Sequence, residues 1–369
     1  ESNINTTYSE ILDPPVFSHP AGFYTQGFEL NITHPDPEVT IVFTLDGSYP
    51  TPEKQNGTTF SYKNQYPEKP GDDFGKLLFG SCNSFAYHQP LIITDHSANS
   101  DTITRISTTW HYEPYYFPDE PVFKGTVVRA IALKENAIGS KVESASYFIT
   151  EQGRERYSLP VVSIQVCRKD LFDYEDGIYV AGIDYDNWRS QNPDAAHNWQ
   201  TVANFHRRGD EAEMPVNVEF FEADSHLPGI SQLSGFRIHG GEARRRPMKS
   251  FRLYARSKYG DGSFNHKFFN ELDHNCFKRL LFRNSGQDFL FTMIRDATIH
   301  RIFKDLHFDT QAYEPVVVFI NGEYWGIHNL RERYDKFYFN RVYGVDPENI
   351  DYLTNNITIN EGDVEHYNE

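Results

Sequence analysis

The first 150 residues alternate short apolar segments with polar turns. Apolar or alternating runs recur at 27–34, 39–47, 125–133 and 144–150. Runs of this length, separated by turn sequences such as PDP and KENAIGS, are typical of β-strands, and their regular spacing favours a sandwich of two sheets. Residues 53–120 are instead long, polar and rich in Ser, Asn, Tyr and Pro. We therefore predict an antiparallel, immunoglobulin-like β-sandwich over residues 1–150, with an insertion at about 53–120.

After residue 150 the pattern changes to strands mixed with helices. Residues 150–160, TEQGRERYSLP, are polar and end in proline, which is typical of a linker. Strand patterns follow at 161–167, 216–224, 235–241 and 249–255. Residues 180–215 are rich in Asn, Asp, Trp and His, and we expect a loop there. The pattern therefore predicts a second domain of α+β class over residues 151–369.

The later part of this domain carries the strongest local signals. Residues 288–306 have apolar positions at helical spacing behind Asp288, a suitable N-cap. The predicted apolar face consists of Leu290, Met293, Ile294, Ala297, Ile302 and Leu306. Asn321-Gly322 lies between two apolar runs and predicts a type I′ hairpin. Residues 332–344 then predict a short helix that ends at Gly344.

Composition limits the classes of partner. The chain of 369 residues has 52 Asp and Glu against 35 Lys and Arg, a formal charge of -17. Nucleic acids require a basic footprint, so this balance argues against a nucleic-acid binder while allowing one small anion site. Apolar runs fall short of the ~20 residues of a membrane span, and we expect none. Cys82, Cys167 and Cys276 are far apart without metal-ligand spacing, so we expect lone thiols and no metal site.

One basic segment stands out in this acidic chain. Residues 240–254, GGEARRRPMKSFRLY, place two glycines ahead of five cations. The cations are Arg244, Arg245, Arg246, Lys249 and Arg252. Glycine allows backbone N–H groups to approach a phosphate closely, and Lys or Arg neutralises it. The pattern alone favours a solvated loop, with a phosphate-binding loop as the alternative.

The order of the segments adds a family resemblance. LPVVSIQV…DLFDYEDGIYVAG, EMPVNVEFFE…SGFRIHGGEARRRPMKSFRLYARSKYG, LLFRNSGQDFLFTMIRDATIHRIF and VFINGEYWGIHNLRERYDKFYF follow one another over residues 160–369. In this order they resemble the CotH family of atypical, secreted protein kinases. Ahead of them, VTIVFTLDGSYPTP and GTVVRAIALKENAIGSKVESASYFI resemble the immunoglobulin-like module at the C-terminus of chitobiases and hexosaminidases. The combination implies a secreted or cell-surface bacterial protein that acts on an unknown extracellular protein or glycan.

The CotH resemblance also implies a nucleotide site. Lys249 matches the family's lysine after the glycine-containing loop, which implies a contact with nucleotide phosphates. Arg244 and Arg246 would assist it, and Asp296 would orient it. Glu332 matches an acidic position near the lobe junction, where adenine or ribose would lie. The implied cofactors are ATP and Mg²⁺.

The chain departs from the family in one important respect. The family's catalytic aspartate and its WDxD magnesium motif lie C-terminal to the matching segments, and neither is found in these 369 residues. Phosphoryl transfer needs metal to neutralise charge and a base to position the nucleophile. We therefore expect a kinase-like domain that is incomplete at its C-terminus and inactive as it stands. The alternative is a non-catalytic adhesion or scaffold module that recognises a glycan or a partner protein.

Overall fold

The N-terminal part is built on a five-stranded sheet. The computed structural model describes residues 10–53, 57–110, 117–198, 201–354 and 358–365. The strands of the N-terminal part are β1 (Val16–Phe17), β2 (Gly22–Tyr24), β3 (Phe28–Leu30), β4 (Ile32–Thr33), β5 (Thr40–Thr44), β6 (Thr58–Tyr62), β7 (Leu78–Cys82), β8 (Phe85–Ala86), β9 (Leu91–Ile93), β10 (Thr126–Leu133) and β11 (Glu143–Ile149). The sheet has the order β2-β11-β10-β5-β8, and β1–β4, β3–β9 and β6–β7 form separate pairs.

The predicted strands of this part are confirmed, with one correction to the sheet. The four apolar runs form β3 with β4, β5, β10 and β11. The sheet is mixed and not purely antiparallel, because β2 pairs with β11 in parallel. The immunoglobulin-like sandwich stays a prediction.

The insertion between β5 and β10 belongs partly to the next domain. Strand β8 pairs with β5, as expected for an insertion that returns to the sheet. The β6–β7 hairpin and the segment after it instead contribute Phe60, Cys82, Ile103 and Ile106 to a hydrophobic cluster that includes Val162 and other residues beyond 160. The insertion therefore packs against the C-terminal part of the chain.

The C-terminal part is organised around a closed barrel. Its elements are β12 (Val161–Gln165), α1 (Arg168–Phe172), α2 (Gly182–Gln191), β13 (Met214–Phe221), β14 (Ile230–Ile238), β15 (Phe251–Tyr254), β16 (Phe264–Asn265), β17 (Cys276–Phe277), β18 (Arg279–Arg283), α3 (Arg295–Phe303), β19 (Tyr313–Ile320), β20 (Glu323–Glu332), α4 (Lys336–Tyr343), β21 (Tyr352–Thr354) and β22 (Thr358–Glu361). The barrel order is β12-β13-β14-β15-β18-β20-β19, closed by a parallel β12–β19 pair. The predicted α+β class is confirmed as a strand-rich fold with few helices, and a kinase-like arrangement stays a prediction.

The two parts share a hydrophobic boundary. Phe148 of β11 lies 4.7 Å from Phe319 of β19 and 5.9 Å from Phe221 of β13, measured between ring centroids. Aromatic rings at these separations attract one another beyond the area that they bury. The predicted domain boundary at residue 150 falls between β11 and β12, and it stays a prediction.

The β19–β20 hairpin fastens the barrel to its surroundings. Asn321 and Gly322 have φ angles of 47° and 83°, as the predicted type I′ turn requires. The Asn321 amide accepts from Val166 N and donates to Val166 O, both at 2.8 Å. The Gly322 carbonyl accepts from Gly125 N at 2.8 Å, so close that a Cβ on Gly322 would lie 2.0 Å from the Gly125 oxygen. The Asn321-Gly322 turn therefore also binds the segments around Val166 and Gly125.

The helix predicted at 288–306 is shorter and more exposed than expected. It spans Arg295–Phe303, because Met293 has a φ of 59° and interrupts the chain before it. Asp288 caps this turn by accepting from Arg295 N at 3.0 Å. Of the predicted apolar face only Ala297 is buried, whereas Ile302 is 67% exposed. Most of the predicted apolar face therefore lies at the surface of the described part of the chain.

Two other helices test the sequence patterns. Residues 182–191 form α2, where a loop was predicted. The predicted helix after the hairpin is confirmed as α4, with Asp335 accepting from Phe337 N and Tyr338 N and Gly344 ending it at a φ of 68°. No helix in the described parts of the chain is long and apolar enough to cross a membrane.

Candidate anion-binding site

Lys249 holds its own loop together. Its side chain is fully buried, and Nζ donates to Arg244 O at 2.7 Å and Arg246 O at 2.9 Å. The ammonium also lies 4.0 Å from the centre of the Phe205 ring. Burial, assisted by the charge of Arg244, lowers the pKa of Lys249 well below its ordinary value. Two of its three donors therefore serve loop carbonyls, and its contact with a nucleotide phosphate stays a prediction.

The guanidinium of Arg244 is engaged in the same way. It donates to the carbonyls of Gly240 and Ile238 at 2.7 Å and of Phe205 at 2.6 Å. Arg246 is half-buried, and burial followed by the charge of Arg245 lowers the pKa of its guanidinium. The predicted phosphate-binding loop is thus a compact turn whose buried cations satisfy backbone oxygens.

Asp296 has other partners than the one predicted. Its carboxylate lies 2.8 Å from Arg331 Nη2 and 3.3 Å from Arg283 Nε. These arginines belong to β20 and β18, and Arg331 is fully buried. The predicted pairing of Asp296 with Lys249 is therefore not formed.

Glu332 lines a cavity of about 300 Å³ at the end of β20. Its carboxylate accepts from Arg341, and burial raises its pKa. The cavity also has the basic residues Lys278, Arg279 and Arg333 and the ring of Phe337 in its lining. An acid, several cations and an aromatic ring are suited to a polar ligand with a flat ring. The contact of Glu332 with adenine or ribose stays a prediction.

A second cavity, of about 150 Å³, is dominated by arginines. Its lining consists of Ile178, Arg207, Arg208, Gly209, Ala212, Arg237, Ile238, Arg244, Arg252 and Tyr254, and we call it the arginine pocket. Of the predicted site residues, Arg244 lines it. Five arginines line this small cavity in a chain of formal charge -17, and such a local excess of positive charge favours an anion.

Barrel register brings two of these arginines face to face. Arg237 of β14 and Arg252 of β15 are directly opposite each other in the antiparallel pair. Like charges in this position destabilise a sheet unless they are compensated. Arg237 is compensated by Glu213 and Asp210. Arg252 forms no ion pair with a described carboxylate, so its charge is available to a ligand.

The hydrogen-bond partners of Arg252 are neutral groups. Its Nε donates to Nδ1 of His239 at 2.7 Å, and its Nη1 donates to the Tyr254 hydroxyl at 3.3 Å. Burial, together with the charges of Arg252 and Arg333, lowers the pKa of His239 well below its ordinary value and keeps the ring neutral. Arg252 therefore adds a positive charge that this part of the pocket does not balance.

The field of the arginines is visible in two further groups. Burial, followed by the charges of Arg208 and Arg252, lowers the pKa of Arg244 to about 9. Burial of the Tyr254 phenol opposes ionisation, yet Arg252 and Arg333 hold its pKa below the ordinary value. The negative form of Tyr254 is therefore stabilised, and the positive form of Arg244 is destabilised. Both effects are expected beside an anion site.

Tyr254 lies between the two cavities. Its hydroxyl is 3.3 Å from Arg252 Nη1, in the arginine pocket, and 3.5 Å from Arg333 Nη1, in the Glu332 cavity. The two cavities therefore come close to each other at Tyr254. The sequence prediction missed Arg207, Arg208, Arg237 and Tyr254. Strand alternation could have indicated one of them, because Arg237 and His239 occupy alternate positions of a predicted strand.

Comparisons with known proteins find two family models that match separate parts of the chain. Residues 30–147 match the family model described as Fn3 associated, and residues 236–367 match the model described as CotH kinase protein. No curated protein matches the chain. The second match covers β15, which carries Arg252 and Tyr254, and the end of β20, where Glu332 is followed by Arg333. The matches support a CotH-like protein with an Fn3-associated segment ahead of its CotH segment.

Proposed function

We propose that this CotH-like chain binds a nucleotide of the ATP class, with phosphate in the arginine pocket and the nucleoside in the Glu332 cavity. The observation that carries the proposal is the set of five arginines around one cavity, with Arg252 lacking an acidic partner among the described residues. The proposal includes a location outside the cell, at the bacterial surface, as the resemblance implies. It also retains a module of the chitobiase type ahead of the CotH segment.

The sizes of the cavities support this division of the ligand. A volume of about 150 Å³ holds roughly five water molecules. This space suits a phosphate group that keeps a few bound water molecules, and it is too small for a nucleoside. The Glu332 cavity has about twice that volume and offers Phe337 for contact with a base. Tyr254 lies where the two portions of the ligand would join.

The chemistry of the arginines supports phosphate in preference to other groups. A guanidinium presents donors in a planar fork that matches two phosphate oxygens. Arg252 and the exposed Arg208 have no ion-pair partner among the described carboxylates, so binding an anion breaks no existing pair there. Arg207 is held by Asp184 at 2.8 and 2.9 Å and gives the pocket a fixed edge.

Magnesium does not have an evident place among these residues. The parts of the chain that the structure describes contain no cluster of three or more His, Cys, Asp or Glu side chains arranged for a metal. The resemblance assigns the metal-holding acids to a different segment of the family. We therefore propose nucleotide binding by this chain, with the arginines neutralising phosphate, and assign no phosphoryl-transfer step to it.

Calorimetry with ATP and with inorganic triphosphate tests the proposal. Arg252→Gln should weaken both ligands by about 10–100-fold, because one charge-assisted hydrogen bond contributes about 1.5–3 kcal/mol. Glu332→Gln should weaken ATP while leaving triphosphate unchanged, because its cavity receives the nucleoside. Arg105→Gln, at an exposed arginine that lines neither cavity, is the matched control.

The outcomes separate the alternatives. Equal affinity of the wild type and Arg252→Gln for both ligands, with unchanged melting temperatures, would remove the arginine pocket as the phosphate site. Loss of triphosphate binding in Glu332→Gln would show that the two cavities are wrongly divided. Absence of ATP binding in the wild type would favour the adhesion or scaffold function.

A further inference from the structure

The fold brings together two cysteines that are distant in the sequence. Cys82 ends β7 in the insertion, and Cys167 precedes α1 of the barrel part. They are 85 residues apart in the chain, yet their Sγ atoms are 3.5 Å apart. Cys82 is buried, Cys167 is half-buried, and Cys276 is exposed elsewhere. The expectation of unrelated lone thiols is therefore wrong for this pair.

The main chain beside each cysteine is fixed by another segment. Val166, next to the second cysteine, exchanges two hydrogen bonds of 2.8 Å with the Asn321 side chain at the hairpin tip. Asn83, next to the first, donates to Asp46 Oδ2 at 2.7 Å. The side chains of Asn321 and Asp46 belong to two separate turns, and each fixes the backbone beside one cysteine. The contact between the sulfurs is therefore set by the surrounding structure.

The hairpin that carries Cys82 is also attached to the barrel part. Ser61 of β6 donates its N–H to Asp173 Oδ1 at 3.0 Å and accepts from Tyr174 N at 2.6 Å. Asp173 and Tyr174 follow directly after α1, the helix that Cys167 begins. The two thiols are thus held in contact from both sides.

The electrostatic surroundings favour the thiolate at Cys82 and the protonated thiol at Cys167. The hydrogen bond between the two thiols lowers the pKa of Cys82, and the same bond together with burial raises the pKa of Cys167. Arg129 is buried nearby, and burial lowers its pKa to about 10, against the opposing charges of Tyr49, Cys167 and Asp46. A positive group beside a thiol stabilises the thiolate, which is the form that attacks disulfides.

We propose that Cys82 and Cys167 form a disulfide when the chain meets a low-molecular-weight disulfide oxidant such as oxidised glutathione. The Cys82 thiolate takes the proton of the half-buried Cys167 thiol as the Cys167 sulfur attacks one sulfur of the oxidant, and it passes this proton to the first small thiolate that is released. The Cys82 thiolate then attacks the Cys167 sulfur and releases the second. Two protein thiols are oxidised, the oxidant is reduced to two small thiols, and these take up the two protons.

Such a bond would fasten the insertion to the barrel part. It would close a loop of 85 residues, and closing a long loop removes much of the conformational freedom of the unfolded chain. We expect the melting temperature to rise by several degrees. The inference is independent of the nucleotide proposal, since neither cysteine lines the arginine pocket or the Glu332 cavity.

Peptide mapping of the intact chain tests the bond directly. The reduced protein is incubated with oxidised glutathione, its free thiols are alkylated, and it is digested without reductant. Mass spectrometry should find a peptide pair joined through Cys82 and Cys167, with Cys276 alkylated. Three alkylated cysteines, or a lasting mixed disulfide on Cys167, would overturn the proposal.

Two variants extend the test to stability. Cys276→Ser should keep both the cross-linked peptide and the rise in melting temperature. Cys82→Ala should show no rise on oxidation and should leave Cys167 joined to glutathione. An equal rise in Cys82→Ala would show that the bond is not its cause. Should this variant fail to fold, peptide mapping of the wild type still decides the question.

Discussion

Glu219→Gln is a test of how a buried acid is accommodated where the N-terminal sheet meets the barrel. Glu219 lies on β13 with no exposed surface, and its Oε2 accepts from Gln165 Nε2 at 3.1 Å. Gln165 Nε2 also donates to Ser146 Oγ of β11 at 2.9 Å. Among the residues that the structure describes, Oε1 of Glu219 and Oε1 of Gln165 have no hydrogen-bond partner. Burial raises the pKa of Glu219 to about 8, which keeps its proton in neutral solution.

The size of the effect follows from the two pKa values. Between the ordinary pKa of 4.5 and about 8, the unfolded chain ionises Glu219 while the folded chain keeps the proton. The folded state then binds more protons, so its free energy of unfolding falls as the pH rises. The loss is about 1.4 kcal/mol per pH unit and roughly 4–5 kcal/mol across the window. Glutamine resembles the protonated acid and has no such dependence.

Urea unfolding of the two proteins at pH 5, 6, 7 and 8 measures this difference. All other titrating groups are common to both proteins, so they cancel in the comparison. We expect similar stability at pH 5 and a variant that is more stable than the wild type by several kcal/mol at pH 8. Glu151→Gln, at an exposed position, should follow the wild type within about 0.5 kcal/mol. A constant difference from pH 5 to 8 would refute the reasoning.

Two further substitutions test other buried charges. Lys249→Met should lower the free energy of unfolding by about 1–3 kcal/mol in urea, because the carbonyls of Arg244 and Arg246 lose their donor; weaker ATP binding at unchanged stability would instead favour the predicted phosphate contact. Glu323→Gln should speed hydrogen exchange of the amides of 102–104, because its carboxylate accepts from three of these N–H groups at 2.6–3.1 Å; unchanged exchange there would contradict this role.

Features that depend on neighbouring residues could be predicted from the sequence. Asn321-Gly322 forms its turn because two adjacent residues accept positive φ angles, and no distant contact is needed to specify this. Gly344 ends α4 for the same reason. The strands also follow from alternation, which is a property of the backbone itself.

Features that depend on distant contacts could not be predicted in this way. The helix expected from Asp288 begins seven residues later because Asp288 caps a tight turn that includes Met293 at positive φ. Residues 182–191 form a helix despite their polar composition, because Tyr185 packs with Trp110 of the insertion at 4.6 Å. Neither partner can be identified from local periodicity.

In the candidate site, odd-numbered and even-numbered positions around β15 give charged side chains different surroundings. Lys249 has the same parity as Phe251 and Leu253, whose side chains are buried in the hydrophobic core. A lysine on this side must find its partners inside the protein, and the loop carbonyls provide them. Arg252 has the opposite parity and lies beside Arg237, a neighbour that only the barrel register identifies. Lys249 therefore stabilises the loop through these carbonyls while its contact with phosphate stays a prediction, and Arg252 is the cation on which the proposed phosphate site depends.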